Sequence, residues 1–279
     1  PLLTQGAVDA IADHANDELK HAFLEKMVSG EWTGTMNLTE AQAGSDLSAV
    51  RTKATPNGDG TYAIKGTKIF ITYGEHNLTE NIIHLVLARL PDAPEGTKGI
   101  SLFLVPKFIL DENGNPGKRN DLICSGIEHK LGIHASPTCT MSFGDNEGAT
   151  GYLVGEENRG LHAMFTMMNL ARLSVGTQGV AIIERSAQAA INYADDRTQG
   201  AALGSPRGTS DPIIKHPDVR RNISLMKAMT MASRAICLMT AKYIDISIRA
   251  ANEEEKKAAA EKAAFLTPIA KAFSTDCAV

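Results

Sequence analysis

Two short stretches carry residue types suited to holding a flat, hydrogen-bonding ligand. In MNLTEAQAGSD, residues 36–46, Thr39 offers a hydroxyl and a main-chain N–H at a strand's end. Ala41, Ala43 and Gly44 leave the backbone uncovered, and Ser45 adds a second hydroxyl. Consecutive small residues let main-chain N–H groups converge on an anion. In KIFITYGEHN, residues 68–77, Phe70 supplies a bulky ring and Thr72 a hydroxyl, two residues apart and so on one face of a strand. An aromatic wall with two donors suits a planar heterocycle. A plainer reading stands beside it: hydroxyls at strand ends cap turns, and an aromatic in a strand usually belongs to the core. No GxGxxG follows a strand and no GxxxxGK is followed by Ser or Thr, so neither a Rossmann site nor a P-loop is supported.

The elements that must position these residues fall into three regimes. Apolar residues recur at three- and four-residue steps from Ala7 to Val28 and stop at Ser29-Gly30, which predicts an amphipathic helix or two. From Glu31 to about Gly155 short β-branched and aromatic runs alternate with Gly, Pro, Asn and Asp. AVRTKAT, PNGDG and TYAIKG predict a hairpin; KIFIT, IIHLVLARL, GISLFLV and TCTMSF predict further strands. The rhythm is that of a β-barrel or sandwich, with no βαβ repeat. After Glu156 the helical period returns. Residues 158–197 predict one long helix in which Gly176 and Gly179 let another helix approach. Residues 216–257 predict a second of roughly forty residues, about 60 Å long. Thr267-Pro268 predicts the start of a third, an N-cap hydroxyl with proline at the first helical position, and ANEEEKKAAAEKAA before it a solvated helix end or loop. The expected class is α+β: a helical remnant over residues 1–30, a central β domain over 31–156 and a helical bundle over 157–279, an arrangement in which a cofactor can lie between sheet and bundle.

Bulk properties narrow the function. The chain has 279 residues, 43% of them hydrophobic, with no apolar run near membrane-spanning length, so no membrane span is expected. A net charge of −4 gives no broad positive field, which argues against nucleic acid as a partner. Cys124, Cys139, Cys237 and Cys277 are far apart, form no CxxC pair and do not cluster with histidines at metal spacing. Free thiols, no metal and a reducing, cytoplasmic location are expected. The first residues lack the apolar core of a secretory signal. Without an initiating Met, and ending in STDCAV, the chain is expected to be a piece of a longer polypeptide.

LTEAQAGSD and KIFITYGEHN together resemble the two flavin-contact segments of the acyl-CoA dehydrogenases, usually written TEPGAGSD and KxWITNG. LVGEENRGLHAMFTMMNLARLSVGTQGVA is similar to the family's first bundle helix, AAINYADDRTQG to its YAxxRxxFG ending, and TPIAKAFSTD to the start of its late helix. The co-ordered segments cover essentially the whole chain. NLTENIIHLVLARLPDAPEGTKGISLFLVPKF and SDPIIKHPDVRRNISLMKA look like the longer bacterial branch of FadE-type and 3-methylmercaptopropionyl-CoA dehydrogenase-like enzymes.

This resemblance implies FAD as cofactor, an acyl-CoA thioester as substrate, and α,β-dehydrogenation within fatty acid metabolism. Carried over by position, Met36, Leu38 and Thr39 would line the isoalloxazine, with Phe70 as the stacking wall in the usual Trp position and Ile71 and Thr72 completing the contact. Ser45 and Ser136 match positions that contact the phosphopantetheine or phosphate end of CoA. Asn169 and Arg172, one turn apart on a helix face, match an Asp/Arg pair near the substrate's nucleotide, with Asn replacing the acid; Arg172 is equally placed for a bundle salt bridge. Arg197 matches an arginine that reaches a neighbouring subunit's FAD pyrophosphate, although TQG departs from the usual xxFG. A homodimer or homotetramer is implied, with electron-transferring flavoprotein as acceptor. The Met-rich AMFTMMNL and ISLMKAMTMAS are then bundle core and subunit interface rather than an acyl channel.

The base that removes the α-proton is not found. No YEGT segment occurs, and Ala171 stands where some members carry a Glu before the bundle arginine. Glu40 is a poor substitute, because the matching family acid is not the base. No catalytic residue is therefore expected within these residues; the base is expected in a missing C-terminal segment, and the fragment alone is expected to be inactive. An acyl-CoA oxidase or flavin monooxygenase on the same fold, and a non-catalytic flavin- or CoA-binding scaffold, are the competing readings.

Overall fold

Two helices come first in the computed structural model, which describes residues 2–279. α1 spans Leu2–His14 and α2 spans Asp17–Ser29. One apolar periodicity becomes two helices because Asn16 intervenes, its side chain accepting from the Leu19 N–H at 2.9 Å. Asp17 and Glu18 then face the positive helix end, and Gly30, at φ 85°, closes the last turn. Ile11, Leu19, Phe23 and Met27 are buried in one apolar cluster with Trp32, Leu85 and Met164.

Ten strands follow: β1 Trp32–Asn37, β2 Lys53–Pro56, β3 Tyr62–Thr72, β4 Asn81–Ala88, β5 Ser101–Pro106, β6 Phe108–Leu110, β7 Pro116–Arg119, β8 Leu122–Ile127, β9 Thr138–Phe143 and β10 Ala149–Val154. Eight form one sheet in the order β1-β4-β5-β10-β3-β9-β8 with β2 on β3, while β6 and β7 make a separate ribbon. The α+β class holds, but the path stays open, ending at β1 and β8, and no barrel closes. β1 and β4 are parallel; the chain between them is used by the β2–β3 hairpin, whose turn has Gly58 at φ 87° and Gly60 at φ 88° as the NGDG string requires. All eight residues of β4 are buried. Ile83, Leu85 and Leu87 belong to the cluster that includes the helices, Val86 and Ala88 to a second one with Phe103, Met141 and Phe143. A strand covered on both faces reads as an unbroken apolar run rather than an alternation.

The chain divides into two units, the first ending at Met168 and the second covering Asn169–Val279. α3 spans Gly160–Asp196, α4 Pro217–Arg249 and α5 Glu253–Asp276. In the second unit Gly176 and Gly179 do admit another helix: an added Cβ would stand 3.1 Å from the Ala270 carbonyl oxygen and 2.5 Å from that of Ser274. Two expectations are corrected. α4 is 33 residues long, about 50 Å, and stops at Arg249. The last helix starts at Glu253 rather than at Thr267-Pro268, which lies inside it. Asn252 caps α5 by accepting from the Glu254 and Glu255 amides, the three glutamates of the first turn suit the helix dipole, and the alanines that follow favour helix strongly. The Thr267 hydroxyl, free of cap duty, donates to the Ala263 carbonyl at 2.7 Å.

Cys124, Cys139, Cys237 and Cys277 are free thiols. Among the described residues no group of three His, Cys, Asp or Glu side chains is placed to hold a metal, and no helix is long and apolar enough to cross a membrane.

Candidate functional site

The first motif leaves the sheet at the end of β1. Met36, Leu38 and Thr39 are half-buried there, the first two packed against the apolar cluster of the helices. Two hydrogen bonds draw β3 alongside: the Ile69 N–H donates to the Thr39 carbonyl at 2.9 Å, and Lys68 Nζ to the Leu38 carbonyl at 3.0 Å. On the other side of β3, Thr72 lies opposite Thr138 of β9, and the Tyr73 N–H donates to the Pro137 carbonyl at 2.8 Å. Residues 36–39, 69–73 and 136–138 are thus neighbours along one rim, which brings Ser136 to the side of the second motif.

A bulge aims the aromatic ring. Along β3, Ile64 and Lys68 are fully buried while Lys65 and Thr67 are exposed. Continued in step, Phe70 would point inward. The register against β9 shifts between Lys68 and Ile71, and Phe70 takes the left-handed conformation at φ 61°. The phase flips: Ile71 is 2% exposed, in the second apolar cluster, and Phe70 is 56% exposed with Thr72 beside it on the outer face. Phe70 and Thr72 therefore share a face, as their spacing predicts. Ile71 has its side chain in the core, which leaves only its main chain for any ligand on the rim.

The rim fits a flat heterocycle by its own chemistry. A large ring stands in solvent on a backbone conformation that disfavours it, and half-buried Met36 and Leu38 lie on the neighbouring segment of the same rim. The Thr39 and Thr72 hydroxyls form no hydrogen bond among the described residues. Ser45 is exposed on the loop beyond, where the Asp46 carboxylate is occupied locally by the Ser48 N–H at 2.9 Å. Ser136 is half-buried; its N–H donates to the Ile133 carbonyl and its carbonyl accepts from Lys130 Nζ at 2.6 Å.

Asn169, Arg172 and Arg197 belong to the second unit. Asn169 is exposed and accepts from Arg172 Nη1 at 3.4 Å, so the two share a helix face. Arg197 is exposed just past α3, its main chain held by the Tyr193 carbonyl at 2.8 Å and by the Ile213 N–H, with Nη2 3.5 Å from Gln199 Oε1.

Sequence reading missed what lies behind the rim. Glu40 and Lys68 form a buried ion pair at 2.8 Å, their side chains 5% and 0% exposed. Burial opposes ionisation of Glu40, but the Lys68 ammonium, the Thr52 hydroxyl and the Arg51 amide outweigh it and hold the carboxyl at about 2. Burial also draws Lys68 down to about 8, with Glu40 opposing. Both groups are charged at neutral pH. The available signal was Lys68 itself: a lysine in the inward phase of a strand calls for a buried carboxylate. Behind β1, His84 is another buried polar group, 2.7 Å from the Thr35 hydroxyl through Nδ1, and burial, its largest influence, pushes it down to about 3, so it is neutral.

Comparison with known proteins identifies the family and the fold. The family model "Acyl-CoA dehydrogenase, middle domain" matches residues 35–146, and "Acyl-CoA dehydrogenase, C-terminal domain" matches residues 158–278. The 3-methylmercaptopropionyl-CoA dehydrogenase of Ruegeria pomeroyi is 53% identical over 279 residues, covering 100% of this chain and 47% of that protein. Among solved structures, the acyl-CoA dehydrogenase of Bacillus anthracis complexed with FAD superposes with TM-score 0.73 at 25% identity, over 94% of this chain and 41% of that one. ACDH-11 of Caenorhabditis elegans, in complex with C11-CoA, shares the fold at TM-score 0.80 and 23% identity, over 100% of this chain and 45% of that one. The chain belongs to the acyl-CoA dehydrogenase family. It spans about half the length of the curated relatives it matches.

Proposed function

We propose that the protein carries out FAD-dependent α,β-dehydrogenation of an acyl-CoA thioester. The observation that carries the reading is the rim itself: Phe70 turned outward by a bulge, beside the unengaged hydroxyls of Thr39 and Thr72. Bound FAD would supply the hydride acceptor for the substrate's β-carbon. Phe70 would cover one face of the ring and exclude water from it, and Met36 and Leu38 would line its edge. Thr39 and Thr72 would donate hydrogen bonds that orient it, with Ile71 contributing main chain only. Arg197, whose planar fork matches phosphate oxygens, is assigned to the pyrophosphate of a neighbouring subunit's FAD. Ser45, Ser136, Asn169 and Arg172 are assigned to the CoA moiety.

Abstraction of the α-proton needs a carboxylate of raised basicity in a dry site. Glu40 has the opposite character, held at about 2 by its partners. Ala171 offers no acid at the second position. The base is therefore assigned to a part of the polypeptide outside these 279 residues. The division at residues 30 and 156 into helical remnant, β domain and incomplete bundle, a homodimer or homotetramer, electron-transferring flavoprotein as electron acceptor and a cytoplasmic location complete the reading.

The test is flavin binding and turnover. Titration with FAD should give a bound flavin spectrum with the chain. The full-length polypeptide should reduce an artificial electron acceptor when given acyl-CoA, and this chain alone should not. Absence of FAD binding by both would overturn the cofactor assignment; turnover by the 279-residue chain would overturn the location of the base.

A further inference from the structure

One carboxylate holds the rim's two walls together. Glu40 Oε1 accepts from Lys68 Nζ at 2.8 Å, from the Thr52 N–H at 3.1 Å and from the Thr52 hydroxyl at 2.6 Å. Oε2 accepts from the Arg51 N–H at 2.8 Å and from Gln42 Nε2 at 2.6 Å. Lys68 donates in turn to the Leu38 carbonyl, one residue before Thr39. The same pair thus fixes the end of the first motif, the Arg51-Thr52 segment that leads into β2 and the β3 residue two before Phe70. Gly66 makes room for it: a Cβ there would stand 2.4 Å from the Thr52 hydroxyl oxygen. Gln42, where the usual TEPGAGSD string has glycine, adds a donor that string lacks, and also donates to the Ala49 carbonyl at 3.1 Å.

A buried ion pair is seldom more stabilising than a well-packed apolar pair of similar volume, because both charges lose their water. What it adds is direction, since each bond to a charged group has a required distance and angle. We propose that Glu40 and Lys68 are positioning residues that set the separation and relative orientation of the Leu38–Thr39 and Phe70–Thr72 walls. The consequence for the cofactor rests on the reading that this rim holds FAD; the consequence for the protein does not.

The experiment uses the full chain as wild type, Glu40→Gln, Lys68→Met, the double variant, and Gln42→Ala. It measures the thermal midpoint, amide hydrogen exchange by segment, FAD affinity, and the visible circular dichroism of bound FAD. Each single charge removal leaves its partner buried and unpaired, so both should lower the midpoint. The double variant removes both charges and should recover most of that loss. It should nevertheless exchange about tenfold faster at residues 36–43 and 66–73 than wild type, with about tenfold weaker FAD binding and a changed visible dichroism. Gln42→Ala keeps the ion pair and should raise exchange about threefold at residues 38–43 alone. Wild-type exchange at both segments in the double variant would overturn the proposal. So would a rise spread evenly over the first unit, which marks a merely structural pair. If wild type binds no FAD, the cofactor reading fails while the exchange comparison still decides the positioning role.

Discussion

Phe70 combines a strained conformation with an exposed ring, and the two together separate function from stability. A left-handed backbone at a bulky residue costs about 1–2 kcal/mol, which glycine escapes. At 56% exposure the ring contributes little burial in return. Phe70→Gly should therefore leave the thermal midpoint of the FAD-free protein unchanged or raised by about 2–4 °C, while weakening FAD binding by about tenfold or more through loss of the stacking face. A lowered midpoint with unchanged affinity would show that the ring is structural. Glu40 makes a second residue-scale claim, about pH. Its folded-state value, about 2, lies below the ordinary 4.5. Ionised Glu40 then contributes stability that is present above about pH 4.5 and lost as pH falls towards 2, up to roughly 3 kcal/mol, while the depressed Lys68, drawn down to about 8 by burial, offsets much of it in the pair's net balance. Urea midpoints measured from pH 5 to pH 2.5 should fall more steeply in wild type than in Glu40→Gln; parallel curves would refute the assignment.

At the scale of elements, legibility followed local chemistry. The β2–β3 hairpin was readable because two glycines at positive φ in its turn are a requirement the sequence states outright. α3 was readable from its period, and Gly176 and Gly179 from their size. α5 was not, because two valid start signals competed: Thr267-Pro268 has the form of a cap, yet Asn252 with three acids and an alanine-rich run nucleates the helix earlier. The bulge at Lys68–Ile71 was not readable either, since strict alternation from Ile64 sends Phe70 inward. The spacing of Phe70 and Thr72 offered an aromatic wall only beside a core reading, and the resemblance in KIFIT favoured the outward ring; of the Glu40–Lys68 pair, joined across 28 residues, the inward-phase lysine alone was visible locally. The close approach of α3 and α5 carries its own prediction. Gly179→Ala gains up to about 1 kcal/mol of helix propensity, but its Cβ would stand 2.5 Å from the Ser274 carbonyl oxygen and 2.7 Å from its carbon. Backbone cannot swing aside as a side chain does, so overpacking should win by about 1–3 kcal/mol. The check is a urea midpoint; a stabilised Gly179→Ala would mean that α5 stands off α3.

At the scale of the whole molecule, ligand binding and folding are linked. A cofactor held only by the native rim stabilises the protein by RT ln(1 + [L]/Kd), about 2.7 kcal/mol at one hundred times Kd. For a unit ending at Met168 that corresponds to roughly 5–10 °C in midpoint. The rim's residues come from β1, β3 and β9, which are separated in sequence and meet only in the folded sheet, so the unfolded chain has no comparable site. FAD should accordingly raise the midpoint in proportion to the logarithm of its concentration. The rise should be accompanied by slower amide exchange at residues 36–39 and 69–73. Phe70→Gly supplies the internal control: its FAD-free midpoint should be at least that of wild type, yet at equal FAD it should gain about 1.4 kcal/mol less for each tenfold loss of affinity. An equal gain in both proteins would place the flavin elsewhere on the molecule.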